Sequence, residues 1–128
     1  MEHILEEINP FIKVTLDTIR VTEENIPSLF SNEDIICEAF DNPKNKAMLV
    51  NTLLEKFPSK KIVAASGMAG YESSNTIETK KITDNFYLCG DNKTGAKIGR
   101  GLMAPRVSIC AGHESNMILR LILEIYEV

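Results

Sequence analysis

The feature that most constrains this sequence is an apolar segment that ends abruptly at an acid, an amide and a proline. Residues 34–40 (DIICEAF) are mainly apolar apart from Glu38, and Asp41, Asn42 and Pro43 follow directly. Such a run is typical of a central parallel strand covered on both faces. Pro43 suits the first turn of a helix, and the residues after it have helical apolar spacing. The sequence therefore predicts a buried strand, a helix, and two polar residues at their junction.

Helix-like and strand-like segments alternate along most of the chain. Residues 12–21 alternate between apolar and polar side chains, as a half-buried strand does, and Thr22 suits the N-cap of the helix that follows. The predicted elements are, in order, a helix at 2–8, a strand at 12–21, a helix at 22–30, a strand at 34–40, a helix at 43–57, strands at 61–65, 76–80 and 86–89, and a helix at 106–126. This order predicts an α/β fold with a mostly parallel sheet and short antiparallel strands near the C-terminal end. The last helix is apolar on nearly all sides, which predicts that it is largely buried.

Length and charge define the broad class of the chain. Its 128 residues suit one domain spanning 1–128, and contents of 44% hydrophobic and 25% charged residues are typical of a soluble globular chain. A formal net charge of −4 with scattered Lys and Arg argues against nucleic-acid binding. No apolar run approaches the roughly 18–20 residues that cross a bilayer, and the acidic N-terminus is unlike a signal peptide. We therefore expect a cytoplasmic protein with no membrane partner.

The cysteines and a histidine are interpreted as structural. Cys37, Cys89 and Cys110 lie among apolar residues without a Cys-x-x-Cys pair, which predicts reduced, mostly buried thiols and no zinc site. Cys89 has the best position for a nucleophile, at the end of a short strand, but the nearby acid Asp91 would raise the pKa of its thiol. His113 has no second ligand at metal-site spacing, so we expect it to pack against a neighbouring element.

A ligand site is expected where the predicted parallel strands end. Ligands of open parallel sheets bind beyond the carboxyl ends of the strands, and two predicted strands end at 40–42 and at 66–68. Asp41 suits a metal ion bound to phosphates, yet Asp and Asn at a strand–helix junction are also ordinary helix caps. The loop SGMAGYESSN suits either an anion bound by backbone N–H groups or a close backbone approach. The glycine-rich stretch 90–101 is interpreted as a mobile loop.

Four segments resemble the second half of ThiF/MoeB/HesA-type proteins, the bacterial relatives of ubiquitin-activating enzymes. They are INPFIKVTLDTIRVTEENI, DIICEAFDNPKNKAML, KIVAASGMAGYESSNTI and GLMAPRVSICAGHESNMILRLIL, and together they cover nearly the whole chain. The segments AASGMAGYESSNTI and FYLCGD are most similar to those of short, zinc-free ThiF proteins of thiamine biosynthesis. The resemblance implies a partial Rossmann-like, three-layer fold.

The resemblance also implies a function and its site residues. Proteins of this family use ATP to adenylate the C-terminal glycine of a small ubiquitin-like sulfur-carrier protein. By resemblance, Asp41 helps to hold Mg²⁺ on ATP, and Asn42 and Lys46 support nucleotide binding, with Lys46 standing where the family usually has arginine. The expected cofactors are ATP and Mg²⁺ without zinc, and the expected partner is the sulfur carrier. Relatives dimerise, and an open sheet edge favours pairing with another chain, so we also expect a homo-oligomer.

Several parts of the family's site have no counterpart in these residues. The Gly-rich phosphate loop, the ribose-binding acid and the catalytic Arg and Lys all precede the region that the resemblance covers. Catalytic residues are therefore not assigned. Two alternatives stay open: a non-catalytic module that binds the carrier or another partner without ATP chemistry, and an unrelated α/β domain in which Asp41 and Asn42 are only a cap.

Overall fold

The computed structural model of the protein describes residues 2–128, which form one mixed sheet flanked by helices. The helices are α1 (Glu2–Ile8), α2 (Ile26–Leu29), α3 (Pro43–Lys56) and α4 (Ala104–Ile122), and the strands are β1 (Ile35–Cys37), β2 (Lys61–Ala65), β3 (Glu78–Thr83) and β4 (Phe86–Gly90). Among these residues, no helix is both long enough and apolar enough to cross a membrane.

The sheet has the strand order β1-β2-β4-β3. Neighbours β1 and β2, and β2 and β4, are parallel, whereas β3 and β4 form an antiparallel hairpin. The predicted α/β class with a mostly parallel sheet is confirmed. The expectation that both short strands are antiparallel to the rest is wrong for β4, because the chain passes over to the sheet edge to form β3 and then returns between β3 and β2.

Helices cover both faces of the sheet because successive side chains of β2 point to opposite sides. Ile62 and Ala64 belong to a buried cluster with α2 and α3. Val63 and Ala65 belong to a second buried cluster, which includes residues of β4 and α4. The result is the three-layer arrangement that the family resemblance implied, and it places the carboxyl ends of β1, β2 and β4 at one edge of the molecule.

The segment 12–21 is not a strand, contrary to its alternating pattern. Apolar side chains within it are exposed, including 60% of Leu16 and 52% of Ile19. A strand needs backbone hydrogen bonds to a neighbour, and no strand among residues 2–128 lies beside this segment. The segment therefore has the apolar–polar alternation of a half-buried strand, but no described strand lies beside it to form the backbone hydrogen bonds of a sheet.

Two predictions about helices also need correction. The helix predicted at 22–30 is reduced to Ile26–Leu29, with Asn25 rather than Thr22 at the N-cap, and the Thr22 N–H donates to the Asn25 side chain at 2.7 Å. The last helix is amphipathic rather than buried all round, since Leu119 and Ile122 are exposed by 54% and 62%. One stripe of α4 packs on the sheet, and nothing among the described residues covers the opposite side.

Candidate functional site

A cavity of about 350 Å³ lies at the carboxyl ends of β1 and β2. Three chain segments line it: residues 40–46 at the start of α3, residues 65–68 after β2, and residues 92–96 after β4, together with Leu102. The segments at 40–42 and 66–68, which the sequence singled out as strand ends, thus lie at one cavity. The strand predicted at 34–40 is shorter than expected, since β1 ends at Cys37. Its size is within the range of pockets for small ligands.

Asp41 and Asn42 have different roles at this junction. Asn42 is the N-cap of α3, because its side-chain oxygen accepts the Lys44 N–H at 2.9 Å. Asp41 is exposed and lines the cavity. The helix cap is therefore supplied by Asn42, and the carboxylate of Asp41 is left at the cavity wall. This arrangement removes the reason for interpreting Asp41 as the cap.

Lys46 also lines the cavity, but it is held by an acid that the sequence reasoning missed. Its Nζ lies 3.2 Å and 3.0 Å from the two carboxylate oxygens of Glu38. Glu38 is only 1% exposed and also accepts the Phe40 N–H. The only available signal in the sequence was an acid within an otherwise apolar run, since a buried carboxylate requires a partner.

The loop after β4 is fixed by Asp91. One oxygen of Asp91 accepts the N–H groups of Lys93 and Thr94 at 2.8 Å each, and the other accepts the Thr94 hydroxyl at 2.8 Å and Arg106 Nη2 at 2.7 Å. Burial by itself would raise the pKa of Asp91, but these hydrogen bonds and the Arg106 charge lower it below its usual value. The start of stretch 90–101, which was interpreted as mobile, is thus tied to α4.

Arg106 is the buried centre of that connection. Its Nη1 donates to the backbone oxygens of Glu72 at 2.8 Å and Ser73 at 2.7 Å, while its Nη2 reaches Asp91. Arg106 and Asp91 are 3% and 8% exposed. One side chain therefore joins helix α4, the segment before β3 and the loop that forms one wall of the cavity.

The thiols do not form a nucleophilic site. Burial and the nearby Glu114 carboxylate raise the pKa of Cys37 to about 11, and burial raises the pKa of Cys89 as well. Part of Cys37 is nevertheless exposed at the end of β1, although its Sγ lies 4.0 Å from the Glu114 carboxylate, so the expectation of a buried thiol is only partly met. Asp91 does not cause the shift of Cys89, since its side chain faces the loop and Arg106. Among the side chains that the structure describes, no three from acids, histidines or cysteines come together as a metal site.

The packing role predicted for His113 is confirmed. Its Nδ1 lies 2.9 Å from the Thr79 hydroxyl, so this histidine of α4 contacts β3.

The half-buried acid Glu114 should make the stability of the fold depend on pH. Burial raises its pKa to about 7, while Lys46 lowers it and Glu38 raises it further. The folded protein then binds a proton that the unfolded chain loses near pH 4.5, so the free energy of unfolding falls as pH rises from about 4.5 to about 7. We expect Glu114→Gln to be more stable than the wild type at pH 8, by on the order of 1 kcal/mol, and equal to it below pH 4.5.

Urea unfolding across this pH range measures the effect. Glu55→Gln, at an exposed position on α3, is the matched control and should keep the wild-type slope. An unchanged slope in Glu114→Gln would contradict the assignment.

The fold and the cavity together define a class. A mostly parallel sheet with helices on both faces and a crevice at the strand carboxyl ends is the Rossmann-like arrangement. The model of the ThiF family matches residues 1–128, and the chain belongs to that family.

Solved structures with the same fold include several of the protein TcdA. In the E. coli tRNA N6-threonylcarbamoyladenosine dehydratase TcdA in complex with AMP, the TM-score is 0.77 at 14% identity over 96% of this chain and 62% of that one. For its complex with ATP, the TM-score is 0.67 at 15% identity, over 94% of this chain and 63% of that one. For a structure named TcdA (CsdL), the TM-score is 0.74 at 14% identity, over 96% of this chain and 64% of that one. The chain thus spans slightly less than two thirds of the length of these neighbours. No curated protein sequence matches it.

Proposed function

We propose that this protein binds an adenine nucleotide in the cavity at the ends of β1 and β2, as part of an ATP-dependent adenylyltransferase of the ThiF family. The observation that carries the proposal is the separation of Asp41 from Asn42, in which the amide caps α3 and the acid remains at the cavity wall. Family membership and the AMP and ATP named for the structural neighbours support the same ligand class.

The residues present are compatible with a magnesium nucleotide. Asp41 offers carboxylate oxygens, which hard cations prefer, Lys93 brings positive charge to the same cavity, and Lys46 brings ammonium N–H groups although Glu38 balances its charge. Bound Mg²⁺ would neutralise phosphate charge during nucleotidyl transfer. In the proposed role, Asp41 holds the metal, and the two lysines orient the phosphate groups while an acceptor carboxylate attacks the α-phosphorus and pyrophosphate leaves.

The proposed acceptor is the C-terminal glycine carboxylate of a small ubiquitin-like sulfur carrier, as in thiamine biosynthesis. A second cavity of about 540 Å³ shares Lys93 and Thr94 with the first, so a chain end lying there adjoins the nucleotide site. Lys80 and Arg100 line this second cavity, where they pair with Glu78 and Glu72, and an acceptor carboxylate would compete with these acids for the two cations. A tRNA acceptor, as in the name of the structural neighbours, is disfavoured because the net charge of −4 opposes binding to phosphate backbones.

The second candidate function is a module that binds a partner protein without ATP chemistry. It is favoured by one observation, the lack of a Gly-x-Gly-x-x-Gly or Walker phosphate loop within the 128 residues. The two candidates differ in whether the chain binds nucleotide in a magnesium-dependent way, which makes Asp41 the residue to test.

Asp41→Asn should weaken ATP binding in the presence of Mg²⁺ by roughly tenfold or more, because a metal-holding carboxylate is lost. The melting temperature should barely change, since Asp41 is exposed. Calorimetric titration of the full chain with ATP, with and without Mg²⁺, measures the first effect, and thermal unfolding followed by circular dichroism measures the second.

Asn42→Ala is the matched control. It removes the cap of α3, which typically costs about 1 kcal/mol, and should lower the melting temperature more than Asp41→Asn does. Should Asp41→Asn destabilise the fold and leave binding unaffected, Asp41 would be a structural residue. Absence of magnesium-dependent binding in the wild type would favour the partner-binding module.

We also propose that the protein is a homo-oligomer. Apolar side chains of the N-terminal segment are exposed, with 75% for Ile8, 95% for Phe11 and 60% for Leu16, and an apolar surface of this kind favours association. Light scattering at micromolar concentration should give a mass at least twice 14.3 kDa. Replacing Phe11 and Leu16 with Glu should yield the monomer, whereas the control Ile98→Glu, in an exposed loop, should leave the oligomer intact. A monomeric wild type would contradict the proposal.

A further inference from the structure

The Glu38–Lys46 ion pair lies at the cavity wall. A contribution to the stability of the fold does not by itself explain why two charges are placed there. Glu38 is 1% exposed, and the Lys46 side chain is 22% exposed. Removing two charges from water costs free energy that their attraction often fails to offset, so such pairs are weak contributors to stability. An apolar pair of the same size would fill this space, which indicates that the charges serve another purpose.

The backbone around the pair is fixed on both sides. The Glu38 N–H donates to the Val63 oxygen of β2 at 2.8 Å, and the Phe40 N–H donates to the Glu38 carboxylate. The Lys46 N–H donates to the Asn42 oxygen at 3.0 Å in the first turn of α3. Glu38 is therefore held by the sheet, and it holds Lys46 from outside the helix to which Lys46 belongs.

The ammonium group of Lys46 has one donor left over. A lysine ammonium has three N–H donors. Two of them are directed to the two oxygens of Glu38, and no other acceptor among residues 2–128 contacts Nζ. Since Lys46 lines the cavity, the remaining N–H is available to a ligand there.

We propose that Glu38 is a positioning residue: it orients Lys46 so that the remaining N–H donates to a phosphate oxygen of a ligand in the cavity. The inference rests on the proposed nucleotide site, and it adds a residue that does not itself line the cavity. The carboxylate also confines the flexible lysine side chain, so less conformational entropy is lost when the phosphate binds.

A double-mutant cycle tests whether Glu38 acts through Lys46. The variants are Glu38→Gln, Lys46→Met and the combination, and the probe is AMP, titrated by calorimetry at pH 6, where Glu114 is mostly neutral. Glu38→Gln should weaken AMP binding by about tenfold in the presence of Lys46, and by less than twofold when position 46 is Met. Lys56→Met, at an exposed position at the far end of α3, should leave affinity unchanged and controls for overall charge.

A purely structural role gives a different result. Glu38→Gln would then weaken binding equally in both backgrounds, and this outcome overturns the inference while leaving the proposed function intact. An effect of Glu38→Gln that is absent altogether also overturns it.

A measurement on the unaltered protein covers the case in which Glu38→Gln does not fold. In ¹⁵N-lysine NMR spectra, the Lys46 ammonium should exchange slowly with water because Glu38 holds it, and AMP should shift its signal. If AMP does not bind but inorganic pyrophosphate shifts the Lys46 signal, the nucleotide function fails and the positioning role stands. If neither ligand shifts it, both are overturned.

Discussion

Gly90→Ala should strongly destabilise the fold. Gly90 has a φ of +131°, and a Cβ at this position would lie 1.8 Å from the Ser66 oxygen and 2.6 Å from the Ser66 carbonyl carbon. Both are backbone atoms, so no side-chain rotation relieves the overlap. Backbone hydrogen bonds hold the two segments together here, from the Ser66 N–H to the Cys89 oxygen at 2.8 Å and from the Asp91 N–H to the Gly67 oxygen at 2.8 Å. We expect a loss of at least about 3 kcal/mol, a large share of the stability of a typical domain.

Gly112→Ala is the matched control for this change. Gly112 lies within α4, and nothing lies within 4 Å of a Cβ built there. Because alanine favours a helix over glycine, this variant should be more stable than the wild type by roughly 0.5–1 kcal/mol. Urea unfolding measures the stability of both variants. A Gly90→Ala protein as stable as the wild type would show that the ends of β2 and β4 do not lie in the close contact described.

Arg106→Met should have the second large effect. The change leaves the Asp91 carboxylate without its cation, and it also removes the donors to the Glu72 and Ser73 oxygens. Breaking a buried ion pair by removing one partner typically costs about 3–5 kcal/mol. Because hydrogen bonds to Asp91 hold the loop at 92–96, the amide protons of this loop should also exchange with water faster in this variant.

Arg100→Met provides the comparison. Arg100 forms an ion pair with the side chain of Glu72, but the two side chains are 25% and 51% exposed, so we expect a change of less than about 1 kcal/mol. Equal destabilisation by the two substitutions, measured by urea unfolding, would show that the buried connection is not the main constraint on the loop.

Elements with local signals could be predicted from the sequence. Helix α3 begins at Pro43 as expected and ends at Lys56, one residue before the prediction, and β2 covers the predicted 61–65. The proline, the Asn42 cap and the continuous apolar run each act through neighbours in the chain, so they do not depend on the rest of the fold. The position of Asp41 was predicted less exactly, because β1 ends at Cys37 rather than at Phe40.

Contacts between distant residues could not be predicted in this way. Segment 12–21 has the pattern of a strand, but a strand also needs a neighbouring strand. The residues of the segment do not indicate whether the fold places one beside it. Glu38 with Lys46 and Asp91 with Arg106 join side chains that the sequence presents as isolated charges within or beside apolar segments.

The sequence by itself determined the α/β class, the order of most elements, and an acid placed shortly after a parallel strand. Only the tertiary structure decided that Asn42 is the cap while Asp41 lines the cavity, that Lys46 is held by Glu38, and that Arg106 ties the loop at 92–96 to α4. The physical reason is that local backbone preferences act over a few residues, whereas the pairing of buried charges depends on which elements the packed core brings together.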